Sequence, residues 1–213
     1  MGYESPMPVQ EEVIPFLLGD DNDVIALAQT GTGKTAAFGL PILQKIDVTT
    51  YHPQALVLCP TRELCLQIAD DLNDYSKYID NLKVLPVYGG SSIESQIKTL
   101  KRGVHVVVAT PGRLLDLMNR KTVDLSLVKN VIMDEADEML NMGFTDSINA
   151  ILAEVPENRN MLLFSATMPK EIANITKKYM KNPKEIVIGN KNEGNKNIRD
   201  IYYMVQARDK YCL

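Results

Sequence analysis

Along the chain, short apolar runs alternate with longer stretches in which apolar residues recur every three or four positions. The runs at 24–27, 55–59, 83–87, 104–109, 131–133, 161–164 and 184–188 predict strands. The amphipathic stretches predict helices over 10–18, 36–46, 61–78, 91–102, 144–155 and 169–180, and one that follows Thr110–Arg113 to about Asn119. Pro15 interrupts the first of these, Ser91 or Ser92 caps the fourth, and Pro169 sits in the first turn of the last. Strands apolar on both faces, each followed by a helix, predict an α/β fold with a mostly parallel sheet covered by helices on both faces. In such sheets ligands bind outside the carboxyl ends of the strands.

Six polar segments follow directly after predicted strands and so converge on that edge. They are Ala28–Thr35, Pro60–Glu63, Gly89-Gly90, Thr110–Arg113, Asp134–Asp137 and Ser165–Thr167. The first, Ala28-Gln29-Thr30-Gly31-Thr32-Gly33-Lys34-Thr35, lies between a strand and a helix, the setting of a phosphate-binding loop. Gly31 and Gly33 let backbone N–H groups approach phosphate oxygens, and the helix that follows points its positive end there. Lys34 supplies charge for the β- and γ-phosphates, and the Thr35 hydroxyl is a ligand for Mg²⁺. Ala28 stands where the usual pattern has glycine.

Asp134-Glu135 is the natural complement of that loop. Asp134 can hold Mg²⁺ from the side opposite Thr35, and Glu135 can orient or deprotonate the water that attacks the γ-phosphate. Alone, the pair reads as an acidic helix start; beside a Gly-Lys-Thr loop it reads as catalytic, with Lys34.

A net charge of −4 argues against a protein that coats nucleic acid broadly, but leaves room for a local groove. No run approaches a membrane span, no signal peptide opens the chain, and Cys59, Cys65 and Cys212 lack metal or redox spacing, so a cytoplasmic protein is expected. Cys59 and Cys65 fall at buried positions of a strand and a helix, and His105 within an apolar strand reads as a packed core histidine.

In this order, the six segments resemble the motifs of the DEAD-box RNA helicases, and Gly2-Tyr3…Pro6…Val9-Gln10 resembles that family's Q motif. The likeness spans nearly the whole chain and corresponds to the family's first RecA-like lobe, with features of a bacterial member. It implies ATP and Mg²⁺ as cofactors, held by Ala28 to Thr35, with Gln10 recognising adenine and Tyr3 and Pro6 flanking the base. A glutamine amide offers a donor and an acceptor together, as adenine requires. The resemblance also implies that Thr61, Arg62, Gly89, Gly90, Thr110, Gly112 and Arg113 line a path for RNA, contacting backbone and 2′-OH without sequence preference. Taken singly, Arg113 equally reads as a helix-start residue paired to a carboxylate, and Gly89-Gly90 as a plain turn. Ser165 and Thr167 are implied to hydrogen-bond Asp137 and couple ATP state to lobe closure; otherwise they satisfy backbone groups at a strand end.

The expected organisation is a RecA-like ATP-binding domain over 1–189, a polar, glycine-bearing linker over 190–197, and the first strand of a second RecA-like domain over 198–213. The expected function is that of an RNA-dependent ATPase and helicase whose partner is RNA in single strands or short duplexes. This fragment alone is expected to be nearly inactive. An ATP-gated RNA clamp without unwinding fits the same motifs, as does a DNA-directed translocase.

Overall fold

The computed structural model describes residues 4–19 and 23–188. Tyr3, the linker and the strand expected beyond it lie outside the described residues. In chain order the elements are α1 (Pro8–Gly19), β1 (Val24–Leu27), α2 (Lys34–Lys45), β2 (Ala55–Leu58), α3 (Arg62–Tyr75), β3 (Val84–Val87), α4 (Ile93–Lys101) and β4 (Val106–Ala109). They continue with α5 (Pro111–Asn119), β5 (Asn130–Met133), α6 (Ala136–Asn141), α7 (Thr145–Glu154), β6 (Asn160–Ser165), α8 (Lys170–Tyr179) and β7 (Lys184–Val187).

The seven strands form one sheet in the order β3-β4-β2-β5-β6-β1-β7. Every pairing is parallel, where the apolar runs alone predicted a mostly parallel sheet. The strands β1, β2, β4 and β5 are buried throughout, as a sheet with both faces covered demands. One face packs Val13, Phe38, Ile68 and Phe164 beneath α1–α3, and the other packs Leu114, Met139, Ile148 and Ile172 beneath α4–α8. Leu163 and Phe164, adjacent in β6, point into opposite cores, which is the alternation of a strand made visible.

Three sequence expectations change. Pro15 does not interrupt α1; the helix runs through it because Val9, Val13 and Leu17 bury one stripe on both sides of it. Pro15 and Glu11, whose carbonyl loses its helical donor to the proline, are both exposed residues. Helix α2 begins at Lys34, two residues before the expected start, so the phosphate-type loop runs straight into the helix. Pro169 caps α8 from outside, with extended backbone, instead of occupying its first turn. The short helix α6 had no counterpart in the periodicity, its few residues being too short a window to show one.

Candidate active site and nucleic-acid interface

All six polar segments emerge at the carboxyl ends of the strands. Their order along the rim follows from the sheet order and divides them in two. Strands β3, β4 and β2 are neighbours and carry Gly89-Gly90, Thr110–Arg113 and Thr61-Arg62. Strands β5, β6 and β1 are neighbours and carry Asp134–Asp137, Ser165–Thr167 and Ala28–Thr35. The phosphate-type loops thus occupy one half of the rim and the proposed RNA loops the other.

On the first half, the loop between β1 and α2 is fixed at its root. Ala28 is buried and donates its N–H to the Ser165 carbonyl at 3.0 Å. Gly31 (φ 78°) and Gly33 (φ 80°) both take left-handed backbone, and Thr32 closes the turn by donating from Oγ1 to the Gln29 carbonyl at 2.8 Å. Gln29 and Thr30 complete the turn, Thr30 exposed at its crest. Gln10 on α1 reaches this loop: its Nε2 donates to the Gly33 carbonyl at 3.2 Å, while Oε1 accepts from the Met7 N–H at 3.0 Å. Beyond these two bonds the amide still has one donor and one acceptor direction. Pro6, just before α1, is exposed.

Lys34 and Asp134 meet across the gap, Nζ to Oδ1 3.5 Å, although one begins α2 and the other follows β5. Burial pushes the Asp134 carboxyl above the ordinary carboxylate range, against the pull of Lys34 and the Glu135 N–H. Glu135 is also raised, first by burial and then by the Asp134 charge beside it. Its backbone is left-handed at φ 51°, ψ 51°, a conformation a non-glycine residue holds only where its surroundings impose it. Thr35 lies in the first turn of α2, and its hydroxyl acts on the Asp71 carboxyl of α3, which burial and the charges of Asp74 and Asp70 raise. A hydroxyl oxygen has two lone pairs to offer a cation. Thr35 and Asp134, a hydroxyl and a deeply buried carboxylate, are therefore a donor set that fits Mg²⁺.

Asp137 joins the two loops behind this site. Its Oδ2 accepts from Thr167 twice, from N–H at 2.9 Å and from Oγ1 at 2.8 Å. Ser165 departs from the expected pattern: its hydroxyl is fully buried with no hydrogen-bond partner among the described residues. As the last residue of β6 it is held in the ladder, and the carboxylate that was to receive it is taken by Thr167, two positions on.

On the other half, Thr61 caps α3 by accepting from the Leu64 N–H at 3.2 Å, which leaves Arg62 and Glu63 exposed in the first turn. Arg62 lies over the Tyr88 ring, 5.0 Å from its centre. Thr110 precedes α5 without a side-chain cap bond, so its hydroxyl is uncommitted to the helix. Arg113 is paired, though to no carboxylate: its guanidinium donates to the Ser91 carbonyl at 3.2 Å and to Gln96 Oε1 at 3.0 Å. Gly89 has open space around it, Gly90 (φ 79°) turns the chain, and Gly112 lies at the exposed start of α5. Two residues escaped the motifs altogether, Asp71 and Gln96. Asp71 left no trace in the sequence; Gln96 did, as a polar residue at a buried position of an amphipathic helix.

The rim is open. A cavity of about 620 Å³ lies at the opposite ends of the strands, around Asp23, Gln54, Asn130 and Asn160.

The DEAD/DEAH box helicase model matches residues 7–175. The chain belongs to the DEAD/DEAH box helicase family. Among DEAD-box relatives, it is 51% identical over 208 residues to an ATP-dependent RNA helicase DeaD of Mycobacterium tuberculosis (strain ATCC 25618 / H37Rv), covering 98% of this chain and 37% of that protein. It is 48% identical over 211 residues to the DEAD-box ATP-dependent RNA helicase CshA of Bacillus cereus (strain ATCC 10987 / NRS 248), covering 99% and 40%. Both relatives are bacterial. A crystal structure of a DEAD box protein from Methanococcus jannaschii superposes with a TM-score of 0.83 at 46% identity, over 87% of this chain and 50% of that one. The RecA-like DEAD-box fold is thereby established, and the chain spans under half the length of the curated relatives it matches. Among the described residues, no helix is long and apolar enough to cross a membrane.

Proposed function

We propose that this chain is the first lobe of an ATP-dependent RNA helicase, binding ATP with Mg²⁺ on one half of its rim and the backbone of single-stranded RNA on the other. The observation that carries the reading is the strand order. It sets three phosphate-type loops side by side on β5, β6 and β1, and three glycine- and arginine-bearing loops side by side on β3, β4 and β2.

In this reading the Gly31–Gly33 backbone and the start of α2 cradle the phosphates, Lys34 neutralises them, and Gln10 reads adenine with the amide directions left after its bonds to Gly33 and Met7. Thr35 and Asp134 would hold Mg²⁺, which when bound neutralises charge on the β- and γ-phosphate oxygens. Glu135, whose carboxyl is raised by burial and by Asp134, orients the attacking water and takes its proton. Asp137 and Thr167 tie the two loops so that a change at the phosphates moves both. Thr61, Arg62, Gly89, Gly90, Thr110, Gly112 and Arg113 face the RNA backbone.

The open rim is half of a clamp in this reading. A second RecA-like lobe of the intact protein covers it and supplies arginines to the transferring phosphate, a contribution of about 10³–10⁵ in rate in phosphoryl-transfer enzymes of this kind. The chain alone therefore binds adenine nucleotide modestly and hydrolyses ATP barely. Titration with fluorescent ADP and GDP, with and without Mg²⁺, tests the nucleotide half: expected are a preference for adenine and tighter binding with Mg²⁺, and equal affinity for the two bases rejects the role of Gln10. Strand displacement by the full-length protein tests the other half, since a clamp without unwinding would bind RNA in an ATP-dependent way and displace nothing.

A further inference from the structure

Gln96 is the buried residue of α4, a helix whose apolar side chains are only partly covered. It is 6% exposed, and a buried amide needs partners for its N–H groups and its oxygen. Gln96 has them, and they come from two different segments of the rim. Its Nε2 donates to the Tyr88 carbonyl at 3.2 Å and to Ser91 Oγ at 2.8 Å, bracketing Gly89-Gly90. Its Oε1 accepts from Arg113 at 3.0 Å, and Arg113 also donates to the Ser91 carbonyl. The chain of contacts extends further, because Arg62 rests on the ring of the same Tyr88 whose carbonyl Gln96 holds.

We infer that Gln96 is a positioning residue for RNA: it touches no RNA itself, but locks Arg113, the Gly89-Gly90 turn and, through Tyr88, Arg62 into one surface. This inference rests on the reading of Arg62, Arg113 and the two glycines as RNA contacts. Arg113 has five N–H donors, and its three bonds fix the plane of the guanidinium while leaving two N–H groups that they do not use. Released from Gln96, the same arginine must be ordered anew each time RNA binds, and that ordering opposes binding.

The test is a double-mutant cycle on RNA affinity, read by anisotropy of a labelled single-stranded RNA, with ADP affinity followed in parallel. Gln96→Met keeps the volume and removes every bond; Arg113→Ala removes the charge. Each single variant is expected to weaken RNA binding by about fivefold to tenfold, and the double variant no more than Arg113→Ala alone, with ADP affinity unchanged. Gln96→Glu keeps the acceptor for Arg113 and loses the donors to the turn. It is expected to bind RNA less tightly than the unsubstituted chain but better than Gln96→Met, while amide exchange at Gly89 and Gly90 speeds up; if Gln96→Met does not fold, unchanged RNA affinity with unchanged exchange in Gln96→Glu overturns the inference. Full RNA affinity in the Gln96 variants beside a weakened Arg113→Ala overturns the positioning role and leaves the RNA path standing. Full affinity in Arg113→Ala overturns both. Losses that simply multiply in the double variant also overturn the inference.

Discussion

Lys34 Nζ stands 3.5 Å from Asp134 Oδ1, and both side chains are more than nine-tenths buried. Taking either partner away strands a charge in a place that solvates it poorly. Lys34→Met is therefore expected to lower the unfolding free energy by on the order of 3 kcal/mol and to abolish measurable nucleotide binding. Adding Asp134→Asn removes the stranded carboxylate, so the double variant is expected to regain most of the stability and none of the affinity. Urea denaturation and nucleotide titration of the two variants check both halves. A double variant no more stable than Lys34→Met would show that the pair is not what holds the two loops together.

The two glycines of the phosphate-type loop predict unequal outcomes. Both have positive φ, but a Cβ at Gly31 meets open space, whereas one at Gly33 would lie 2.5 Å from Gln10 Nε2 and 2.9 Å from Met7 Sδ. Gly31→Ala is expected to cost about 1 kcal/mol of backbone strain. Gly33→Ala adds the displacement of Gln10 and is expected to cost roughly 2–3 kcal/mol and to loosen α1 from the loop. Thermal melts give the ranking, and hydrogen exchange along α1 locates the second effect.

Much of this arrangement was legible before any coordinates, and the physical reasons differ from part to part. The strand, glycine and helix around Lys34 are local signals, so the loop and the α/β class could be read directly. The sheet order could not, because nothing in an apolar run such as Val131-Ile132-Met133 states which strand it will neighbour; that order is what separates the two halves of the rim. Helix α1 passes Pro15 because tertiary burial of Val9, Val13 and Leu17 outweighs a local breaker. The left-handed backbone of Glu135 and the influence of Thr35 on Asp71 exist only once distant segments meet. Tyr3 and the stretch beyond Ile188 lie outside the described residues, so the expected linker stands as the sequence left it.

Asp71 supplies a third prediction. Its carboxyl is raised by burial and by Asp74 and Asp70 and lowered by the Thr35 hydroxyl; accepting that hydroxyl would fix which way its oxygen presents its lone pairs. Asp71→Ala is expected to weaken the Mg²⁺ dependence of nucleotide binding about tenfold, as removal of partners behind a metal ligand does elsewhere, while metal-free nucleotide affinity stays the same. Calorimetric titrations at several Mg²⁺ concentrations separate the two, and an unchanged Mg²⁺ requirement would remove Asp71 from the site.

Far from the rim, His105 makes stability depend on pH. It is fully buried, its Nδ1 accepts the Lys83 N–H at 3.0 Å, and burial pushes its pKa below the ordinary value. An acceptor at Nδ1 must be unprotonated, so the folded state resists a proton that the unfolded chain takes up at about pH 6.5. Below that pH the unfolded state binds more protons than the native state, and stability falls as the pH falls toward the lowered native value. Above it both states are neutral at this site and the effect vanishes. His105→Leu is expected to be less stable at pH 8, having lost the bond to Lys83, but to show a shallower decline between pH 7 and the mildly acidic range. Denaturation midpoints of the two proteins across that range decide it, and parallel pH curves would assign the acid sensitivity to other groups.

Gly89 and Gly112 allow the RNA path to be probed without disturbing the fold. Neither has positive φ; a Cβ at Gly89 meets nothing within 4 Å, and one at Gly112 meets only Phe144 Cε1 at 3.8 Å, an ordinary contact. Alanine at either position should therefore leave the melting temperature within a few degrees, with Gly112→Ala the safer because alanine favours its helix. If phosphate groups approach the backbone N–H groups here, the added methyl stands in their way. Each substitution is then expected to reduce single-stranded RNA affinity by about tenfold, on the order of 1.4 kcal/mol, with ADP affinity unchanged. The loss should persist at raised salt, because a steric block, unlike a lost lysine or arginine, removes no counterion release. RNA affinity equal to that of the unsubstituted chain in both variants would move the RNA away from these turns, and Arg113 beside them would then serve only to brace α4 against α5.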